Sequence, residues 1–130
     1  MTAPAAPGFV PHAADGVAIL LWACDPDRPA LLATPFVHAA AAAALELPVE
    51  VYFTARSVHL LVPGVAAGLR ASVHFQRTIL DTMQEAVAQG ARLFACTDAL
   101  HAQGLGGQAL IPECSGHGGA VQFMARACDL

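Results

Sequence analysis

Charged side chains are scarce in this chain: they make up 12% of its 130 residues, about half of the roughly 25% usual in soluble domains. With 56% of residues hydrophobic, the chain is not an intrinsically disordered segment, which needs abundant charge and little apolar surface. It predicts one domain with an ample core that hides further surface by associating with copies of itself. Six Lys+Arg against ten Asp+Glu leave a net charge of −4, and no basic cluster occurs. Nucleic acid and anionic membrane are therefore poor partners, and neither nucleic-acid binding nor a membrane span is expected. Long apolar runs are lacking too. A spanning helix needs about 20 apolar residues, whereas the longest strongly apolar run, Val17 to Cys24, has eight, and the weakly hydrophobic Ala39 to Ala44 lies between His38 and Glu46. Met1 to Val10 carries no Lys or Arg and no apolar h-region, which argues against a secretory signal and for the cytoplasm.

Several site signatures are missing. There is no Cys-x-x-Cys and no His-x(3–5)-His pair, so Cys114, His117, Asp98 and His101 do not add up to a zinc site. Neither metal nor cofactor is expected. The glycine clusters lack Gly-Lys-Ser/Thr and do not follow the first strand, which excludes a P-loop and a dinucleotide fingerprint. Ser115 is not in Gly-x-Ser-x-Gly, so a hydrolase elbow is unsupported. No internal repeat is visible.

What is present alternates strand-like and helix-like segments. Residues 1–15 hold Pro4, Pro7 and Pro11 among alanines and read as a tail; residues 16–130 form the domain. Val17 to Cys24 is a continuous apolar run suited to a central strand, with Cys24 at its end. A turn at Asp25-Pro26 leads to a helix with Asp27 or Thr34 as N-cap. Pro35 falls early in it, Phe36, Val37, Ala40, Ala41, Ala44 and Leu45 share one face, and Pro48 stops it. Val49 to Thr54 alternates and reads as a second strand. Ala55 to Arg70 reads as a short helical turn and loop. The next helix has Ser72 as cap, Phe75, Ile79, Met83, Ala86 and Val87 on one face, an Arg77–Asp81 pair, and a stop at Gly90. Ala91 to Ala95 is a third strand ending at Cys96, and Thr97 to Ala102 starts a helix. Gln108 to Ile111 fits a strand or a turn. A last helix over Ala120 to Ala127 sets Val121, Met124, Ala125 and Cys128 on one face.

This order predicts an α/β, three-layer sandwich with a mostly parallel sheet of four to five strands, flavodoxin-like in architecture, whose ligands bind outside the carboxyl ends of the strands. Cys24, Cys96 and the segment Ser57-Val58-His59 fall at that edge. If the first and third strands are neighbours, Cys24 and Cys96 approach one another. Cys96 lies between a strand end and a helix start, where backbone N–H groups and the helix dipole favour the thiolate; the alternative is a small apolar core residue. Cys24 is a second thiol with the same alternative. His59 could orient or protonate a sulfur species, or simply pack beside Leu60 and Leu61. Cys114 reads as exposed and Cys128 as core.

Phe53-Thr54-Ala55-Arg56-Ser57-Val58-His59-Leu60-Leu61 after a strand, then Gln89-Gly90-Ala91-Arg92-Leu93-Phe94-Ala95-Cys96 with a downstream Gly104, resemble the DsrE/DsrF-like proteins, TusD-like sulfur-relay members among them. The resemblance spans about Gly16 to Ile111, while Pro112 to Gly119 departs from it. It implies a DsrE-like α/β sandwich assembled as trimers or hexamers. In the sulfur-relay members a cysteine after the third strand carries persulfide sulfur, and Cys96 matches that position. It implies a sulfur carrier or sulfurtransferase component that takes sulfane sulfur on Cys96 and passes it to a partner thiol, such as a TusA-like carrier or another relay subunit. Cys24 and Cys114 are thiols beyond the one such a carrier needs. Two other functions are open: a non-catalytic oligomeric module binding a small ligand near His59, and a redox sensor pairing Cys96 with Cys24.

Overall fold

A computed structural model describes residues 15–129; but for Asp15, the expected proline- and alanine-rich tail lies outside them. Four strands, β1 (Val17–Leu21), β2 (Val49–Phe53), β3 (Arg92–Ala95) and β4 (Cys114–His117), form one sheet in the order β1-β2-β3-β4. All three pairings are parallel. The four helices are α1 (Ala33–Ala44), α2 (Ile79–Gln89), α3 (Thr97–Ala102) and α4 (Ala120–Asp129), and a 3₁₀ segment covers Ala55–Leu61.

The alternation of β2 sorts the molecule into two cores. Val49, Val51 and Phe53 point to one face in register with Val17, Ile19 and Leu21 of β1, while Leu93 and Ala95 of β3 pair with Val51 and Phe53. This face joins the main apolar core with Phe36, Met83 and Leu60, and Phe36 stacks on Phe53 with ring centroids 5.8 Å apart. Glu50 and Tyr52 point to the other face, where Tyr52 stacks on Phe94 at 5.2 Å and meets the Phe123 edge at 5.4 Å. Strands placed in chain order with right-handed crossovers put every connection on one side of the sheet. The second side is left to α4, which completes the third layer.

The structure corrects several sequence expectations. β1 ends at Leu21, so Cys24 sits in the following turn. β2 lies between β1 and β3, which removes the expected adjacency of Cys24 and Cys96. The fourth strand is Cys114–His117, beyond the expected Gln108 to Ile111. α1 has Leu32 as N-cap without a side-chain cap, in place of Asp27 or Thr34, and buries Phe36, Ala39 and Ala43 while Val37 and Leu45 face solvent. Pro35 is its third residue, as expected. α2 begins at Ile79: Thr78 and Asp81 close a capping box there, so Ser72 is no cap and Phe75 is exposed. Arg77 pairs with Glu85 rather than with the Asp81 carboxylate. Gly90 ends α2 at φ +119°, as its position requires.

The largest correction concerns α4. Val121, Met124 and Cys128 point outward. The residues laid on the sheet are Gln122, Phe123 and Arg126: Gln122 Nε2 donates to the Tyr52 hydroxyl at 3.2 Å, and Arg126 Nε to Glu50 Oε1 at 2.9 Å. The Tyr52 hydroxyl itself donates to Glu50. Glu50 is a charged residue buried in the sheet; such a group must be paired, and this requirement decides which side of α4 faces inward.

Candidate functional site at the carboxyl edge of the sheet

Each strand end passes one hydrogen bond beyond its ladder to the next loop. Thr54 N donates to Leu21 O at 3.2 Å, Cys96 N to Phe53 O at 2.9 Å and Gly118 N to Ala95 O at 2.9 Å. These bonds bring Thr54, Cys96 and Gly118 side by side where β2, β3 and β4 end. Ser57 Oγ, fully buried, donates to Leu21 O and Thr54 O and fixes the first of these turns. Beside it Ala55 takes φ +51°, a left-handed conformation that a non-glycine residue adopts only under constraint. Arg56 binds Asp25 at 2.9 Å, tying the β1 turn to the same edge. The Asp25 carboxyl is held below its ordinary range, first by the Asp27 backbone N–H.

Cys96 caps the six-residue α3, and its thiol makes no capping hydrogen bond. It is half-buried and lines a cavity of about 230 Å³ together with Leu20, Tyr52, Phe53, Phe123 and Met124. The turn Gly118-Gly119 closes one side, and a Cβ on Gly119 would stand 3.7 Å from Cys96 Sγ. A second, open depression on the other side of Cys96 adds Trp22, Ala55 and Asp98. The arrangement is a thiol in an apolar enclosure at the edge where parallel sheets bind ligands, suited to holding a small group on sulfur away from bulk water.

The other sequence candidates lie elsewhere. Cys24 is half-buried against the main core, and burial pushes its thiol up from the ordinary value; it lines neither depression at Cys96. His59 Nε2 pairs with Gln103 Oε1 at 3.1 Å, joining the 3₁₀ segment to the end of α3, and is not a wall of the Cys96 cavity. Cys114, expected to be exposed, is half-buried at the start of β4 in register with Leu93, and burial pushes its thiol up. Cys128, expected in the core, is exposed. All four cysteines are free. Among the described residues no three His, Cys, Asp or Glu side chains gather as metal ligands, and no helix is long and apolar enough to cross a membrane.

Tyr52 and Phe123 escaped the sequence reading as parts of the site. Glu50 and Tyr52, two residues apart on the face of β2 opposite three apolar side chains, are the signal that could have revealed a polar second face. No family model and no curated protein matches the chain.

Proposed function

We propose that the chain is a DsrE-like, homo-oligomeric sulfur carrier or sulfurtransferase component of the cytoplasm that holds sulfane sulfur as a persulfide on Cys96. The observation that carries this reading is the half-buried Cys96 thiol in an apolar cavity at the carboxyl edge of the sheet. Loading is a displacement. The Cys96 thiolate attacks the outer sulfur of a donor persulfide R–S–SH, the donor S–S bond breaks, and RS⁻ leaves with the electron pair while Cys96–S–SH forms. Delivery repeats the step: the thiolate of an acceptor, such as a TusA-like carrier or another relay subunit, attacks the outer sulfur and releases the Cys96 thiolate. The apolar lining shields the persulfide between the two steps. Assembly with further copies, as trimers or hexamers, is supported by the exposure of Trp22 (74%), Val121 (86%) and Met124 (59%), since monomers rarely leave a large apolar patch in water.

The test is peptide mass spectrometry after incubation with a persulfide donor, comparing the parent protein with Cys96→Ser. Addition of one reductant-labile sulfur atom at Cys96, lost in the variant, is the expected result. A folded protein whose Cys96 stays unmodified overturns the carrier reading and favours non-covalent binding of a small apolar ligand in the same cavity, for which the predominance of apolar walls speaks.

A further inference from the structure

We infer that the donor serving Cys96 is a small, apolar sulfane such as an alkyl hydropersulfide, taken up as its protonated, neutral S–SH form, and that donors carrying a fixed anionic group are selected against; this rests on the carrier reading above. Size sets the first bound. The cavity of about 230 Å³ is smaller than the roughly 300–1,000 Å³ of sites for drug-sized ligands, so the group enclosed there is small, while the open depression on the other side of Cys96 gives access to the sulfur.

Charge sets the second. All six cationic side chains of the chain are arginines, and none lines either depression at Cys96. Arg56 is held by Asp25 and Asp27, Arg77 by Glu85 and Arg126 by Glu50, while Arg92 lies over the Phe94 ring. Arg28 and Arg70 border a different groove. No charged side chain among the described residues lines the cavity itself, and the one in the adjoining depression is acidic, Asp98. An anion moved into such surroundings loses hydration and meets no cationic side chain, only the backbone N–H groups at the starts of α3 and α4, whereas a neutral alkyl group gains contact with Leu20, Phe123 and Met124. The reacting step is unchanged: the thiolate displaces RS⁻ from neutral R–S–SH, and the small alkanethiolate leaves through the open side.

The charge preference is read by alkylating Cys96 with iodoacetamide and iodoacetate, reagents of nearly equal size that differ in charge, and following the Cys96 peptide by mass spectrometry. The same peptide in urea-unfolded chain is the reference, because Asp98 is close in sequence there too. The neutral-to-anionic rate ratio should be about tenfold larger in the folded protein, and propyl hydropersulfide should load Cys96 about tenfold faster than glutathione persulfide or thiosulfate once each is normalised to a free thiol. Met124→Arg, which sets a cation at the exposed rim of the cavity, should raise the anionic rates. Equal ratios folded and unfolded, with Cys96 loading from anionic and neutral donors alike, overturn the selectivity and leave the carrier reading standing. No sulfur on Cys96 from any donor overturns both.

Discussion

Removing the Arg126 side chain isolates what holds α4 on the sheet. In Arg126→Ala the Glu50 carboxylate keeps its bond from Tyr52 but loses its cation. Breaking a buried pair by deleting one partner costs about 3–5 kcal/mol, and exposed pairs are worth about 0.2–1 kcal/mol. Here the Glu50 side chain is 6% exposed and that of Arg126 42%, so water screens one end only and the expected loss is about 2 kcal/mol. Glu50→Gln keeps one oxygen to accept from Arg126 and turns its NH2 toward the Tyr52 hydroxyl, which can accept in its place, and should cost about 1 kcal/mol. The double variant should be more stable than the two losses added together, by about 1 kcal/mol, because the charge left stranded by the arginine deletion is then absent. Urea unfolding followed by far-UV circular dichroism measures all three, at one fixed protomer concentration because association shifts apparent stability. α4 also walls the cavity, so the arginine variant should alkylate faster at Cys96. A loss below about 0.5 kcal/mol in Arg126→Ala, the size of an ordinary surface substitution, or strict additivity in the double variant, would refute the assignment of this pair as the fastening of α4.

Other outcomes follow from single residues. Burial first, and then the hydrogen bond to Glu50, raise the Tyr52 phenol above its ordinary 10.0. Below that value the phenol is neutral folded and unfolded, and above it the unfolded chain ionises first, so stability falls as pH rises through the alkaline range. The chain has one tyrosine, and its phenolate absorbance should appear at higher pH in the folded than in the urea-unfolded protein. Ala55→Gly relieves the left-handed strain and, after the added entropy of the unfolded chain, should stabilise by about 0.5–1 kcal/mol in the same urea assay; a destabilised variant speaks against that backbone. Gly119→Val crowds the Cys96 sulfur and should slow its alkylation severalfold with little change in far-UV signal. In timed labelling at neutral pH, exposed Cys128 and cavity-lining Cys96 should react before Cys24 and Cys114, whose thiols burial pushes up.

The legible parts of the sequence are those where one local rule acts without a competitor. β2 declares itself through a short run rich in β-branched and aromatic residues, Val49, Val51, Tyr52 and Phe53, and Gly90 ends α2 because a left-handed residue is required there. Cys96 falls at the end of β3, as read from the short apolar run after that glycine. β4 was invisible because Cys-Ser-Gly-His has no β-branched residue and no apolar alternation; neighbours along β3 hold it. α4 was misread for a different reason. Its apolar stripe obeys helical periodicity, but the buried carboxylate of Glu50 takes precedence over apolar area and draws Arg126 and Gln122 inward. The link between Cys24 and Cys96 depended on strand order, a long-range property that local patterning does not encode. The cavity eluded the sequence because its walls come from β1, β2 and α4 at once.

Strand order that follows chain order has a consequence for how the molecule assembles. Each strand pairs with the one made just before it, so every ladder closes over a comparatively short loop, and the sheet can grow by successive addition as the chain leaves the ribosome. β4 and α4 follow β3 in the chain and arrive close together. Until then Glu50 and Tyr52 lack their partners Arg126 and Gln122, and the Cys96 sulfur stands without the wall that Phe123 and Met124 supply. Docking of α4 is thus the step that turns a bare thiol into a protected one, and chains in which it has not yet docked should be the population in which this cysteine is most vulnerable to oxidation.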